Sequence, residues 1–192
     1  MYKESSRNFN EKEIDFINKM RLLWEQHVEW TRMTIISMAE DLDDVNFVTN
    51  RLLRNPTDFA HLLTVFYGIE KATQFETLLR EHLLIAADLI NAAKMNDSEG
   101  VKNAEIKWYE NVNEIATFLH EINPFLSEVT MREMLHEHLA LTESEAIYRI
   151  NKYYAKDIEI YDKVEEQALE MANEISRAIM KQFPDKFVCK ES

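Results

Sequence analysis

Apolar residues recur at intervals of three or four positions along nearly the whole chain. A helix repeats about every 3.6 residues, so this spacing places them on one helical face, whereas a half-buried strand would alternate strictly. The first stripe runs from Ile17 through Met20 and Trp24 to Ile35 and Met38. The pattern predicts an all-α protein in which amphipathic helices pack against one another.

Glycine and proline are scarce, with two glycines and three prolines among 192 residues. β-rich folds need many turns, and turns depend on these residue types. P-loops, dinucleotide-binding fingerprints and kinase glycine loops need several glycines to bring backbone N–H groups against phosphate. The sequence therefore excludes these classes and predicts no nucleotide cofactor.

Helix boundaries follow from capping and turn residues. A long helix should begin at Asn55-Pro56, because Asn is a favoured N-cap and Pro suits the first helical position, and should bend at Gly68 on its way to about Met95. Asn123-Pro124 repeats this start signal for a fourth helix. The other predicted segments are a short helix within 44–54, a turn at 96–100 followed by a third helix, a C-terminal helix over about 157–181 and a polar tail over 185–192.

Two stretches of the chain resemble each other. Leu79-Arg80-Glu81-His82-Leu83 corresponds to Leu135-His136-Glu137-His138-Leu139, and Trp24-x-x-His27 corresponds to Trp108-x-x-Asn111. These matches indicate pseudo-repeats over about 11–95 and 101–155, each a helical hairpin. Two such hairpins form a four-helix bundle, which the C-terminal helix is expected to flank, within a single domain over 1–192.

Each of the four predicted bundle helices carries one imidazole or carboxamide inside its apolar stripe: His27, His82, Asn111 and His138. Burying such a group without a partner costs a few kcal/mol, so something must satisfy it. Histidines and carboxylates on facing helices hold iron, manganese or zinc in bundle cores. We therefore predict a transition-metal site of His27, His82, His138 and Glu145, the last lying two turns beyond His138 on the same helical face.

Further polar residues near these stripes are candidates to ligate or support the metal: Asn111, Thr31, Thr142, Arg32 and Asp88. Arg32 could also pair with Glu145 across the bundle, because a buried arginine needs an acidic partner. The ferritin-like di-iron signature needs Glu-x-x-His on two helices, and the chain has it once, at Glu133-x-x-His136.

Two alternatives remain open at this point. In the first, the same polar residues form a buried hydrogen-bond network that fixes helix register in a non-enzymatic interaction or structural protein, for example a homodimer. In the second, a pocket lined by Trp24 and Trp108 binds a small organic ligand. Whether the chain is an enzyme is left open.

Charge and cysteine content restrict partners and compartment. The chain has 22 basic and 35 acidic residues and a net charge of −13, which repels nucleic acid and anionic membrane surfaces. The longest apolar run, Leu83 to Ala87, is too short to span a bilayer, and Met1 to Ser6 lack the apolar core of a signal peptide. The single cysteine, Cys189, cannot staple the fold. These features predict a cytoplasmic protein without nucleic-acid or membrane partners.

A set of short motifs extends over most of the chain: Leu23-Trp24-x-x-His27-x-x-Trp30-Thr31-Arg32, His82-Leu83-x-Ile85-Ala86, Trp108-x-x-Asn111, Asn123-Pro124, Met134-Leu135-x-x-His138-Leu139-x-Leu141-Thr142-x-x-Glu145-Ala146 and Gln182-Phe183-Pro184. This set resembles a family of small helical proteins from spore-forming Gram-positive bacteria. The resemblance implies a helical fold and supports the chosen positions, but that family has no established catalytic residues to carry over. Some members carry an acetylglutamate kinase label, against which the scarcity of glycine argues independently. A ferritin-like relationship rests on fold analogy alone.

Overall fold

The computed structural model describes residues 9–188, so Met1 to Ser6 and Cys189 lie outside the described residues. Over this range the chain forms six α-helices and a terminal 3-10 turn at Pro184–Lys186. The helices are α1 (Glu11–Ala39), α2 (Val45–Leu52), α3 (Asn55–Lys94), α4 (Ser98–Ile122), α5 (Glu128–Ile150) and α6 (Tyr154–Gln182). No strand occurs between residues 9 and 188. The predicted all-α class is confirmed, as are the short helix α2 and the C-terminal helix α6.

The bend predicted in the second long helix lies at Gly68. Its φ of 76° and ψ of 170° are not helical and divide α3 into segments 55–67 and 69–94. A positive φ favours glycine, which has no Cβ to clash with the backbone. The single long helix expected from the sequence is therefore two helices that meet at an angle.

The two Asn-Pro start signals have different outcomes. α3 begins at Asn55 as predicted, but Arg54 is the N-cap and the Asn55 side chain caps nothing. Asn123 ends α4 as its C-cap, and its Oδ1 accepts a hydrogen bond from the backbone N–H of Phe125. α5 begins later, with Ser127 as its capping residue. The predicted start at Asn123 is wrong because the Asx turn there is followed by a short loop.

The long helices enclose one main hydrophobic core. α3 packs most closely against α4, α5 against α6, and α6 against α1. Ala168, Met171 and Ala172 of α6 are fully buried, so this helix contributes directly to the core. Most of the core side chains come from α1, α3, α4, α5 and α6, and Leu126 and Phe187 outside these helices complete the core. Among residues 9–188, no helix has the length and apolarity required to cross a membrane.

Candidate metal centre

Three histidines from three different helices meet in the core. His27 lies on α1, His82 on the second segment of α3 and His138 on α5, and each is at most 3% exposed. One ligand atom from each lies within 4.8 Å of the others. The ring centroids are 5.9 Å apart for His27 and His82, 5.7 Å for His27 and His138, and 6.3 Å for His82 and His138. The predicted convergence of these residues, the histidine triad, is confirmed.

The spacing of the triad suits a small divalent ion. Histidine nitrogens bind zinc at about 2.0–2.1 Å, so three of them on one tetrahedral ion lie about 3.3 Å apart. The ligand atoms of the triad lie within 4.8 Å of one another. The observed spacing is thus at most about 1.5 Å wider than the spacing around a bound ion.

A side-chain amide determines which nitrogen of His27 is free. The Nδ1 atom of His27 lies 3.2 Å from Oδ1 of Asn55, and Nδ2 of Asn55 donates to the backbone carbonyl of Leu23 at 2.9 Å. Because the NH₂ group of Asn55 is engaged there, its oxygen must be the atom that faces the ring. Nδ1 of His27 therefore carries the proton and donates it, and Nε2 keeps a free lone pair.

The other two histidines have equivalent amides. Nδ2 of Asn111 donates to the carbonyl of Leu78 at 3.1 Å, and Nε2 of Gln167 donates to the carbonyl of Met134 at 2.7 Å. The same two amides interact with His82 and His138 respectively, and each counteracts the lowering of its histidine's pKa. Within the described part of the chain, the Nδ1 atoms of both histidines and both amide oxygens are buried and form no hydrogen bond. Each amide oxygen is therefore free to accept the Nδ1 proton of its histidine, as Asn55 does for His27.

The three histidine–amide pairs repeat along the chain. The amides occupy positions 55, 111 and 167, at equal intervals of 56 residues, and each donates to the carbonyl four residues before its histidine. Sequence reasoning identified Asn111 but treated Asn55 as a helix cap and missed Gln167. The equal spacing of three amides, each 28 or 29 residues after a histidine, is the signal that would have found them.

Burial keeps the histidine triad uncharged. Desolvation lowers the pKa of His27 to about 4 and that of His138 to about 3, against the opposing effect of the neighbouring amides. The pKa of His82 is also lowered, first by burial and then by the other two imidazoles. All three are neutral at pH 7, which is the form that binds a metal ion.

Glu145 lies in a second buried polar cluster. Nη1 of Arg32 donates to Oε1 of Glu145 at 2.6 Å and to Oδ1 of Asp157 at 2.7 Å, so the predicted pairing of Arg32 with Glu145 is confirmed. Both carboxylates are only 1% exposed. Burial raises the pKa of Glu145 to about 7, although the Arg32 guanidinium lowers it. Sequence reasoning placed residue 157 only as the approximate start of the last helix and missed the pairing of Asp157 with Arg32.

The remaining predicted residues have different surroundings. Among the described residues, Glu145 is not part of the metal-binding group that the triad forms, and its role as a fourth ligand stays a prediction. Oγ1 of Thr142 and Oε2 of Glu145 are buried without a partner in the described chain. Oγ1 of Thr31 donates to the carbonyl of His27. Asp88 is exposed, so the structure does not bring it to the buried centre.

Comparison with known proteins gives no further assignment. No family model matches the chain, and neither the curated proteins nor the solved structures contain a significant match. The resemblance to helical proteins of spore-forming bacteria therefore stays a prediction.

Proposed function

We propose that this helical protein binds one divalent transition-metal ion through the Nε2 atoms of His27, His82 and His138. The observation that carries the proposal is the convergence of three buried imidazoles whose ligand atoms lie within 4.8 Å of one another. Burial lowers the pKa of all three, so no protons compete with the ion at neutral pH.

The amides support a metal over a simple hydrogen-bond network. Asn55 accepts the Nδ1 proton of His27, and the unpartnered oxygens of Asn111 and Gln167 are the acceptors proposed for the other two. This arrangement would leave three Nε2 lone pairs for one ion. A hydrogen-bond network needs a donor for each acceptor, whereas a Lewis acid at the centre satisfies all three lone pairs together. Outer hydrogen bonds from metal-bound histidines to carbonyl oxygens are also the usual way in which such ligands are oriented.

The donor set restricts the ion. Three imidazoles without a thiolate suit zinc or iron(II), and manganese less well, since manganese favours oxygen ligands. Structural zinc sites are closed by four protein ligands, whereas three histidines leave a coordination position open for an exogenous ligand. We propose a centre of this open type, and its reaction is left unassigned.

We further propose that the centre lies between repeated helical hairpins. The predicted four-helix bundle used two copies of a hairpin with the last helix beside them. The histidine–amide pairs favour three copies: α1 with segment 55–67, segment 69–94 with α4, and α5 with α6. The proposed protein acts without nucleic-acid or membrane partners, as its net charge of −13 suggests, and its assembly as a homodimer stays a prediction.

Elemental analysis tests the metal directly. Untagged wild-type protein, purified without chelator and reconstituted with iron(II), manganese(II) or zinc(II), should retain about one equivalent of ion, because three preformed ligands bind it. The double variant His82→Ala/His138→Ala should retain none, since one imidazole does not hold an ion. A reconstituted wild type with no bound metal would contradict the proposal and favour the hydrogen-bond network.

The amide of Gln167 should contribute to metal affinity without binding the ion. Replacing it by the similarly shaped methionine removes the acceptor for His138 Nδ1, and loss of such an outer partner typically weakens metal binding about 10–100-fold. The control is Gln182→Met, on the same helix, because Gln182 bonds Tyr67 and the carbonyl of Ile122 instead. Metal titration of both variants checks this, and equal affinities would argue against the assigned tautomer of His138.

A further inference from the structure

A small cavity opens on one side of the histidine triad. All three histidines line it, together with Trp24, Leu79 and Leu135, each of which precedes its histidine by three residues on the same helix. Its other walls are also apolar. The cavity measures about 10 Å³, which is room for a group about the size of one water molecule. An ion held by the triad would therefore have its open position next to a small apolar space.

A second cavity adjoins the first. It also measures about 10 Å³ and shares Trp24, Phe75 and Leu119 with the first one. Its lining contains no charged side chain, and its one polar residue is Tyr67. Away from the metal ion itself, these walls offer an ionised group no counter-charge, and its desolvation there is costly. The walls therefore favour a ligand of very few atoms whose outer end is uncharged.

Trp24 offers one unused hydrogen bond to such a ligand. Its side chain lines both cavities and is 4% exposed. The indole Nε1–H has no acceptor in the described part of the chain. A buried donor without a partner costs free energy, and a ligand with an acceptor atom would satisfy it. Among the cavity walls, the indole is the one protic group besides the imidazoles.

We propose that the open position of the metal binds an uncharged diatomic molecule such as dioxygen or nitric oxide, whose outer atom accepts a hydrogen bond from Trp24. This inference rests on the proposed metal centre. It adds the class of ligand. The small volume of the cavity, its apolar walls and the unpaired Nε1–H of Trp24 together determine that class. Glu145 is not among the residues that line this cavity.

Nitric oxide is the probe for the test. The wild-type protein is loaded with iron(II) without oxygen, its iron content is measured, and nitric oxide is added. We expect the half-integer-spin resonance signal of an iron(II) nitrosyl in proportion to the bound iron. Azide, a linear ligand of three heavy atoms, is too large for a cavity of about 10 Å³ and should leave the absorption spectrum of the metal-loaded protein unchanged.

Two matched variants test the role of the indole. Trp24→Phe keeps an aromatic wall but removes the donor, and it should speed nitric oxide dissociation about tenfold, as expected for the loss of one hydrogen bond. Trp108→Phe should change the rate less than twofold. Trp108 also has a buried, unpaired Nε1 within the described chain and packs against His82 at 5.3 Å, but it does not line this cavity.

The outcomes separate this inference from the metal proposal. A protein that binds no iron would refute the metal centre itself. Three results with iron-loaded protein would overturn the ligand assignment alone. They are the absence of a nitrosyl signal, azide binding as tight as nitric oxide binding, and a nitrosyl whose dissociation rate does not change in Trp24→Phe. If Trp24→Phe does not fold, Leu79→Phe provides the second test: it fills the cavity, and it should abolish the nitrosyl signal while retaining the iron.

Discussion

Removing the metal from wild-type protein with a chelator should lower its melting temperature by about 10 °C. An ion that binds only the folded state stabilises it by about 4 kcal/mol when its free concentration is a thousand times its Kd. For a chain of 192 residues, each kcal/mol shifts the melting temperature by about 2–4 °C. The triad exists only in the folded protein, because its members come from three helices. Thermal unfolding followed by circular dichroism, with chelator and with excess metal, measures the shift.

Two variants make this result specific. His82→Ala/His138→Ala should melt at the same temperature with chelator and with metal, because the ligands are gone. His136→Ala should respond like the wild type. His136 lies on α5 near His138, but its Nε2 bonds Oδ1 of Asn113 at 2.9 Å, away from the triad. Equal melting temperatures for wild-type protein under both conditions would mean that the folded state has no preformed metal site.

The sequence predicts the triad because a histidine within an apolar helical stripe must point into the core. His27, His82 and His138 each occupy such a position, and the helical period alone places them inside. Their mutual distance depends on helix packing, which periodicity does not give. The bend at Gly68 was also predictable, because an isolated glycine in a long apolar helix is the residue that tolerates a positive φ.

The partners of these histidines were harder to predict. Asn55 precedes a proline, so local chemistry favours a cap, whereas the folded chain uses its side chain to bond His27, 28 residues earlier. Gln167 lies on a polar-looking stretch of α6, where glutamine is ordinarily exposed. Such contacts depend on which helices become neighbours. In the sequence, only the regular spacing of the three amides along the whole chain indicates which histidine each amide contacts.

Replacing Arg32 by methionine should lower the free energy of unfolding by about 3–5 kcal/mol at pH 8, as expected when a buried charge loses its partner. Arg32 donates to both Glu145 and Asp157, and its guanidinium also lies over the ring of Tyr161 at 4.6 Å. Without it, both carboxylates stay buried, and Arg149, whose Nη1 is 3.5 Å from Oδ2 of Asp157, compensates only in part. Urea unfolding of the metal-free variant and wild type gives the difference.

The loss of unfolding free energy in Arg32→Met should become smaller as the pH falls, because the pKa of Glu145 is raised in the folded protein. Its pKa in the folded protein is raised to about 7 from the ordinary value of 4.5, so between these values the folded state binds a proton that the unfolded state has released. A carboxyl with a raised pKa destabilises the fold increasingly as the pH rises through this range. The Arg32 guanidinium lowers the pKa of Glu145, so removing it favours the neutral carboxyl further. At pH 5.5 Glu145 of the variant is therefore protonated and no longer needs a cationic partner.

An exposed ion pair provides the control for the Arg32 result. Arg54 and Asp58 pair at 3.0 Å with 58% and 26% of their side chains exposed, and such pairs contribute only about 0–1 kcal/mol. Arg54→Met should therefore cost little and show no comparable dependence on pH. Two results would show that Glu145 does not depend on Arg32 for its charge. In the first, Arg32→Met loses no more unfolding free energy than Arg54→Met; in the second, the loss in Arg32→Met grows as the pH falls from 8 to 5.5. The double variant Arg32→Met/Glu145→Gln should recover part of the lost stability at pH 8, because it removes one of the two stranded charges.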